Sequence, residues 1–177
     1  LLLMAVGIFS FNHGLNNWLP ELLRHGGMTA TAAGYWATVP TAVGILGSLL
    51  IPRLATPERR FTLLAGLGVS AMLASLMLDG DAGPTLMLGL VLQGIARSSL
   101  MTVAILTLVE TRGVGEKQAG TASGLFFAAA EIGGAGGPIL LGVLYDATGG
   151  FDAGLYLLAG VGALLAVAAL RLRRISE

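Results

Sequence analysis

The 177-residue chain has no cysteine, which removes disulfide frameworks, thiolate metal sites and thiol catalysis from consideration. Charge is scarce as well. Asp, Glu, Lys and Arg make up 11% of the residues, less than half the roughly 25% of an ordinary globular domain, and too little to coat a water-soluble surface. Ten basic residues balance ten acidic ones, for a formal net charge of zero. No basic excess exists to neutralise nucleic-acid phosphates, so a nucleic-acid partner is not expected. Neither H-E-x-x-H nor G-x-S-x-G occurs, so metal-dependent and serine hydrolysis lack their usual residues. No metal or other cofactor is expected, and no enzymatic activity. What the chain does have is apolar sequence: 55% hydrophobic residues and a mean hydropathy of +0.82. That composition belongs to a membrane protein.

Six segments are long enough to cross a hydrocarbon core, which takes about 20 helical residues. They are Leu1–Leu23, Thr31–Pro52, Phe61–Leu78, Pro84–Leu108, Ala119–Leu144 and Phe151–Leu170. The links between them are short and carry Gly26-Gly27, Pro57, Gly80 with Gly83, Gly113 with Gly115, and Gly149-Gly150. Consecutive spans then run antiparallel, giving an all-α membrane protein of six transmembrane helices. Alternate loops collect Arg53, Arg59, Arg60, Arg112, Lys117, Arg171, Arg173 and Arg174 on one side, against only Arg24 on the other. The positive-inside rule therefore predicts that both ends are cytoplasmic, with Trp18, Tyr35 and Trp36 near the outer interface. The chain opens on Leu1 inside a hydrophobic run with no flanking basic residues, and a fragment boundary is expected there.

Polarity sorts the spans. The first carries Asn12, His13, Asn16 and Asn17, and the fourth carries Gln93, Arg97, Ser98, Ser99 and Thr102. The third and sixth are almost wholly apolar, and the second and fifth are intermediate and rich in small residues. High, medium, low, repeated, is a three-plus-three order, as in a transporter half built of two inverted three-helix repeats, roughly 1–78 and 84–170.

The run from Gly124 through Glu131 and Gly133 to Gly137, Pro138 and Gly142 resembles a fifth or eleventh helix of the major facilitator superfamily. Gly142-Val-Leu-Tyr-Asp146-Ala-Thr-Gly149 is similar to that family's G-x-L-x-D-x-x-G loop signature. The resemblance covers the whole chain and implies the C-terminal six-helix half of a twelve-helix fold whose N-terminal half would be a partner. Gly47 through Arg53 takes the place of a second loop copy, with Ile51 and Pro52 near the expected Asp. The spacing of Gly124, Gly133, Gly137 and Pro138 is also similar to the family's antiporter signature, but that signature belongs to the fifth helix and helix packing is the preferred reading of these glycines. More narrowly, Asn12-His-Gly-Leu-Asn16-Asn17-Trp18-Leu-Pro20 resembles the opening helix of the cyanate and nitroimidazole permease-like branch.

Few side chains could carry transport. Arg97 and Glu131 sit at mid-depth in the fourth and fifth spans, where burying either alone costs about 2.5–3.5 kcal/mol; an Arg97–Glu131 ion pair is the economical arrangement. Arg97 suits an anionic cargo because its fork matches carboxylate geometry, and Gln93 lies one turn away on the same face. Glu131 would be the coupling group. Asn12, Asn16 and His13 form a polar arc for a small polar cargo or, for His13, a proton relay. Gly47, Arg53, Gly133, Gly137, Pro138 and Asp146 are assigned to gating or packing. Pro40, flanked by Thr38 and Thr41, would loosen the second span. The function expected is proton-coupled secondary transport of a small solute, such as an organic or inorganic anion, by alternating access in a bacterial inner membrane. The alternative is a channel-like or assembly protein of the membrane with no substrate cycle.

Overall fold

Apolar runs separated by short Gly- and Pro-bearing links become helices because a helix satisfies its backbone polar groups within one segment. The computed structural model describes residues 1–79, 82–110 and 115–176, and all regular structure among them is helical. Helices α1 (Leu2–His25), α2 (Ala30–Trp36), α3 (Val39–Leu54), α4 (Arg60–Met77), α5 (Pro84–Val109), α6 (Gly115–Thr148) and α7 (Asp152–Ser176) follow in order. Gly80, Asp81, Arg112, Gly113 and Glu177, used above for loops and charge, lie outside the described residues, as do the side chains of Glu116 and Lys117.

Two departures from the expected spans have local causes. The second span breaks into α2 and α3 at Ala37 and Thr38. Pro40 lies in the first turn of α3 and has no N–H to return to the preceding turn. The Thr38 hydroxyl instead donates to the Tyr35 carbonyl at 2.7 Å. Among the described residues five helical spans, counting α2 and α3 together as one, are long and apolar enough to cross a membrane; α1 is not among them. Its length of 24 residues suffices, so its polar arc is what lowers its hydropathy. The G-x-L-x-D-x-x-G run is not a loop either: it forms the last turns of α6 up to Thr148, and Gly149 then ends the helix at φ 74°.

The most extensive contacts pair α1 with α6, α3 with α5, α4 with α7 and α4 with α5, while α1 touches α7 less. This pattern maps onto itself when the first three spans are exchanged with the last three. Glycines permit the close approaches. A Cβ on Gly133 or Gly137 of α6 would collide with the carbonyls of Val6 and Ser10 in α1. One on Gly162 of α7 would lie 2.5 Å from the Met72 nitrogen of α4, and one on Gly94 of α5 2.5 Å from the Pro40 carbonyl. Burial is uneven. Only 17% of the second span's apolar window and 22% of the fifth's are buried, against 44% for α4 and 50% for α5. Ile45, Leu46, Leu49 and Leu50 of α3, and Ile132, Ile139, Leu140 and Val143 of α6, are exposed.

Candidate functional site

A cleft of about 400 Å³ opens between α1, α3 and α5. Helix α1 contributes Phe9, Asn12, His13 and Asn16; α3 contributes Pro40, Thr41, Gly44, Ile45 and Ser48; α5 contributes Gly94, Arg97, Ser98 and Met101. The α3–α5 wall forms because Gly94 admits the Pro40 carbonyl and Gly47 admits the Ser98 hydroxyl, 2.7 Å from where a Cβ on Gly47 would sit. Across the cleft, Asn12 Nδ2 donates to the Arg97 carbonyl at 3.3 Å, while Asn12 Oδ1 is buried with no hydrogen-bond partner. Phe9 stacks on His13 with ring centroids 5.4 Å apart at 25°. Among the described residues the lining holds one guanidinium and no carboxylate. Around that charge stand Thr41, Asn16 and the Asn12 amide as groups able to donate, whereas the Ser98 and Ser48 hydroxyls donate to the Ile95 and Ile45 carbonyls of their own helices at 3.2 and 2.9 Å.

Four of the five residues expected to meet a cargo, Arg97, Asn12, Asn16 and His13, line this cleft together. Gln93 does not. It is fully buried on the α5 face that carries Leu86, Leu90 and Leu100, and neither of its amide atoms has a hydrogen-bond partner. The expected Arg97–Glu131 ion pair is also absent. Among the described residues the ion pairs are Arg24–Glu21 at 2.9 Å and Arg60–Glu110 at 2.8 Å, both near helix ends. The cause is helix placement: α6, seated by Gly133 and Gly137, packs on α1 far more than on α5. Glu131 Oε2 lies over Gly134 beside Phe9 and His13 instead.

The remaining expected positions divide by role. Gly47, Gly133 and Gly137 sit at close helix contacts. Pro138 offers its carbonyl to Trp18 Nε1 at 3.0 Å. Asp146 is exposed and lines an open crevice with Asn17 and Glu21. Arg53 is exposed in the last turn of α3. In the loop after it, a hydrogen bond from the Thr56 side chain holds the Glu58 carboxyl below its ordinary range. Sequence reasoning passed over Ser48, Ser98 and Met101 as cleft residues. Ser98 had a signal in its place beside Arg97; Ser48 and Met101 depend on the azimuth of packed helices, which no local pattern records.

The family model of the Major Facilitator Superfamily matches residues 1–177. A "Quinolone resistance transporter" of Acinetobacter baumannii is 30% identical over 152 residues, which cover 83% of this chain and 34% of that protein. The "Uncharacterized transporter YycB" of Bacillus subtilis (strain 168) is 30% identical over 138 residues, covering 74% of this chain and 33% of its own length. The chain thus spans about a third of the length of these curated relatives. No solved structure matches. The chain belongs to the major facilitator superfamily and is an integral membrane protein.

Proposed function

We propose that this member of the major facilitator superfamily is the C-terminal half of a secondary transporter that moves a small anion by alternating access, coupled to protons. The observation that carries the reading is the cleft itself, with one mid-membrane guanidinium, surrounding donors and no carboxylate. Such a lining stabilises an anion and repels a cation. Its volume falls within the usual range of small-molecule sites, about 300–1,000 Å³. The exchange symmetry of the helix contacts supports two inverted three-helix repeats, roughly 1–78 and 84–170. The bare apolar faces of α3 and α6 support an N-terminal half packed against them. The basic loop residues favour cytoplasmic ends in a bacterial inner membrane, and the molecule performs no covalent chemistry.

A second cargo reading has its own support. Phe9 and His13 stack along the cleft wall, a platform for an aromatic solute. One relative's name refers to quinolone resistance. Uptake into proteoliposomes containing the full-length protein tests the reading. We expect saturable flux of a small anion that increases with an imposed pH gradient. A non-saturating conductance would overturn it in favour of a channel, and saturable flux of aromatic drugs alone would favour the second cargo.

A further inference from the structure

The close backbone approach between α4 and α7 also fixes their register. Gly68 lies against Ala166 and Gly162 against Met72, so the helices run antiparallel and the first turn of α4 meets the last turns of α7. There Arg173 Nη1 donates to the Thr62 hydroxyl at 3.2 Å. A hydroxyl that accepts one bond still carries a proton to donate. Beyond the seam each helix has one covered flank and one bare flank. Helix α1 covers α7 where Val161 and Leu165 stand, and α5 covers α4 where the Ser70 hydroxyl donates to the Leu92 carbonyl at 3.1 Å. The bare flanks therefore border the same side of the seam. On α4 that flank carries Thr62 and Val69, about 20° apart around the axis; on α7 it carries Arg174, Leu170 and Val167, within about 60° of one another. All five are exposed. The carboxylates described at this end serve other arginines: Glu110 pairs with Arg60 at 2.8 Å, and Glu58 lies beside Arg59 and Arg60.

We propose that this end of the α4–α7 seam binds an anionic phospholipid of the adjoining leaflet, with Arg173, Arg174 and Thr62 on its phosphodiester and Val69, Val167 and Leu170 along one acyl chain. The order of residues along the two helices supplies the reason. Charge sits at the helix ends, and the apolar side chains follow one to two turns deeper on the same flank. An occupant that matches both parts is itself amphipathic, which a free phosphate is not. A guanidinium fork meets two phosphate oxygens at once, and the Thr62 proton suits another. Basic clusters beside any transmembrane helix attract anionic headgroups diffusely. The Arg173–Thr62 bond, which fixes a guanidinium across two helices, is what makes this cluster a site. A lipid held there bridges α4 and α7 away from the Arg97 cleft. Its binding is independent of the cargo and of which side of the membrane the basic loops face.

The test uses the full-length transporter in detergent, with bound lipid counted by native mass spectrometry. The probes are dioleoyl phosphatidylglycerol, dioleoyl phosphatidylcholine, which has the same chains and no net charge, and inorganic phosphate. We expect phosphatidylglycerol to bind at least about tenfold more tightly than phosphatidylcholine. Arg174→Gln should weaken it about fivefold, and Arg173→Gln with Arg174→Gln roughly 25-fold. Arg53→Gln is the matched control. It removes one exposed charge at the same end of the bundle, from α3, which packs on α5 rather than on α4 or α7, and should weaken binding less than about twofold. Arg174 makes no ion pair among the described residues, so Arg174→Gln alone covers the case in which the double variant fails to fold. Equal losses in Arg53→Gln and Arg174→Gln would show diffuse attraction and overturn the site. Phosphatidylcholine bound as tightly as phosphatidylglycerol, or inorganic phosphate displacing phosphatidylglycerol at equal concentration, would overturn the anionic lipid as its occupant.

Discussion

The α4–α7 and α1–α6 contacts use the same device to different ends. In both, glycine lets one backbone press on another: Gly68 and Gly162 between α4 and α7, Gly133 and Gly137 between α6 and α1. Around Gly68 and Gly162 the neighbouring groups are backbone and apolar residues such as Ala166 and Met72. Around Gly133 and Gly137 stand Val6 and Ser10, and beside the neighbouring Gly134 lie Glu131, Phe9 and His13, the last two of which also line the cleft. Close approach is therefore a matter of holding helices together, shared by both regions. What separates them is the polar arc that only one carries.

The largest expected effect falls where the two contacts are alike. In Gly133→Val the new Cβ meets the Val6 carbonyl, and in Gly162→Val it meets the Met72 nitrogen. Backbone cannot yield as a side-chain tip can, so overpacking should cost at least the usual 1–3 kcal/mol, about what a marginal membrane bundle can lose. Both variants should lose most of the monodisperse protein in size-exclusion chromatography. Survival of one and loss of the other would break the equivalence of the two contacts.

The next effect falls where they differ. Arg97→Lys keeps the charge but replaces the planar fork with a point charge. Losing one charge-assisted hydrogen bond, worth about 1.5–3 kcal/mol, should lower anion uptake roughly 10- to 100-fold. Thermal unfolding in detergent should hardly move, because no ion pair among the described residues depends on Arg97. Unchanged uptake would remove Arg97 from cargo binding and reduce the polar region to another packing surface.

How much of this could be read from residues alone follows from which property each claim needed. Span positions require only apolar run length, and the six runs correspond to the helices, with the second divided at Ala37 and Thr38, just before Pro40. Depth was legible too: Arg97, Asn12 and Asn16 do share one cleft. Azimuth was not. Arg97 and Glu131 lie at similar depth on spans adjacent in sequence, yet α6 packs against α1, so Glu131 turns towards His13. Gln93 shows the same limit. Four residues along a helix is a rotation of about 40° from Arg97, enough to move a side chain from cleft wall to sealed interior.

Gln93 gives a smaller and opposite prediction. Its amide is fully buried with both polar atoms unpartnered, an arrangement that costs stability because the lost water is not replaced. Gln93→Leu should therefore raise stability, by about 1 kcal/mol, and leave the uptake KM unchanged. A raised KM with no gain in thermal stability would return Gln93 to the cargo site and enlarge the polar region by one turn of α5.

The smallest expected effect separates packing from composition within one helix. Gly160 and Gly162 lie two residues apart on α7, about 200° around its axis. Gly162 presses on α4, whereas a Cβ at Gly160 would have nothing within 4 Å. If glycine on α7 matters only where backbone meets backbone, Gly160→Ala should be neutral or stabilising by up to about 1 kcal/mol, since alanine restricts the unfolded chain and favours helix. Unfolding by heat, compared side by side with Gly162→Ala, measures it. Equal destabilisation by both would mean that glycine acts through α7's own flexibility rather than through its contact with α4. The α4–α7 region would then be a bending element, and the contrast with α1–α6 would be one of motion rather than of polarity.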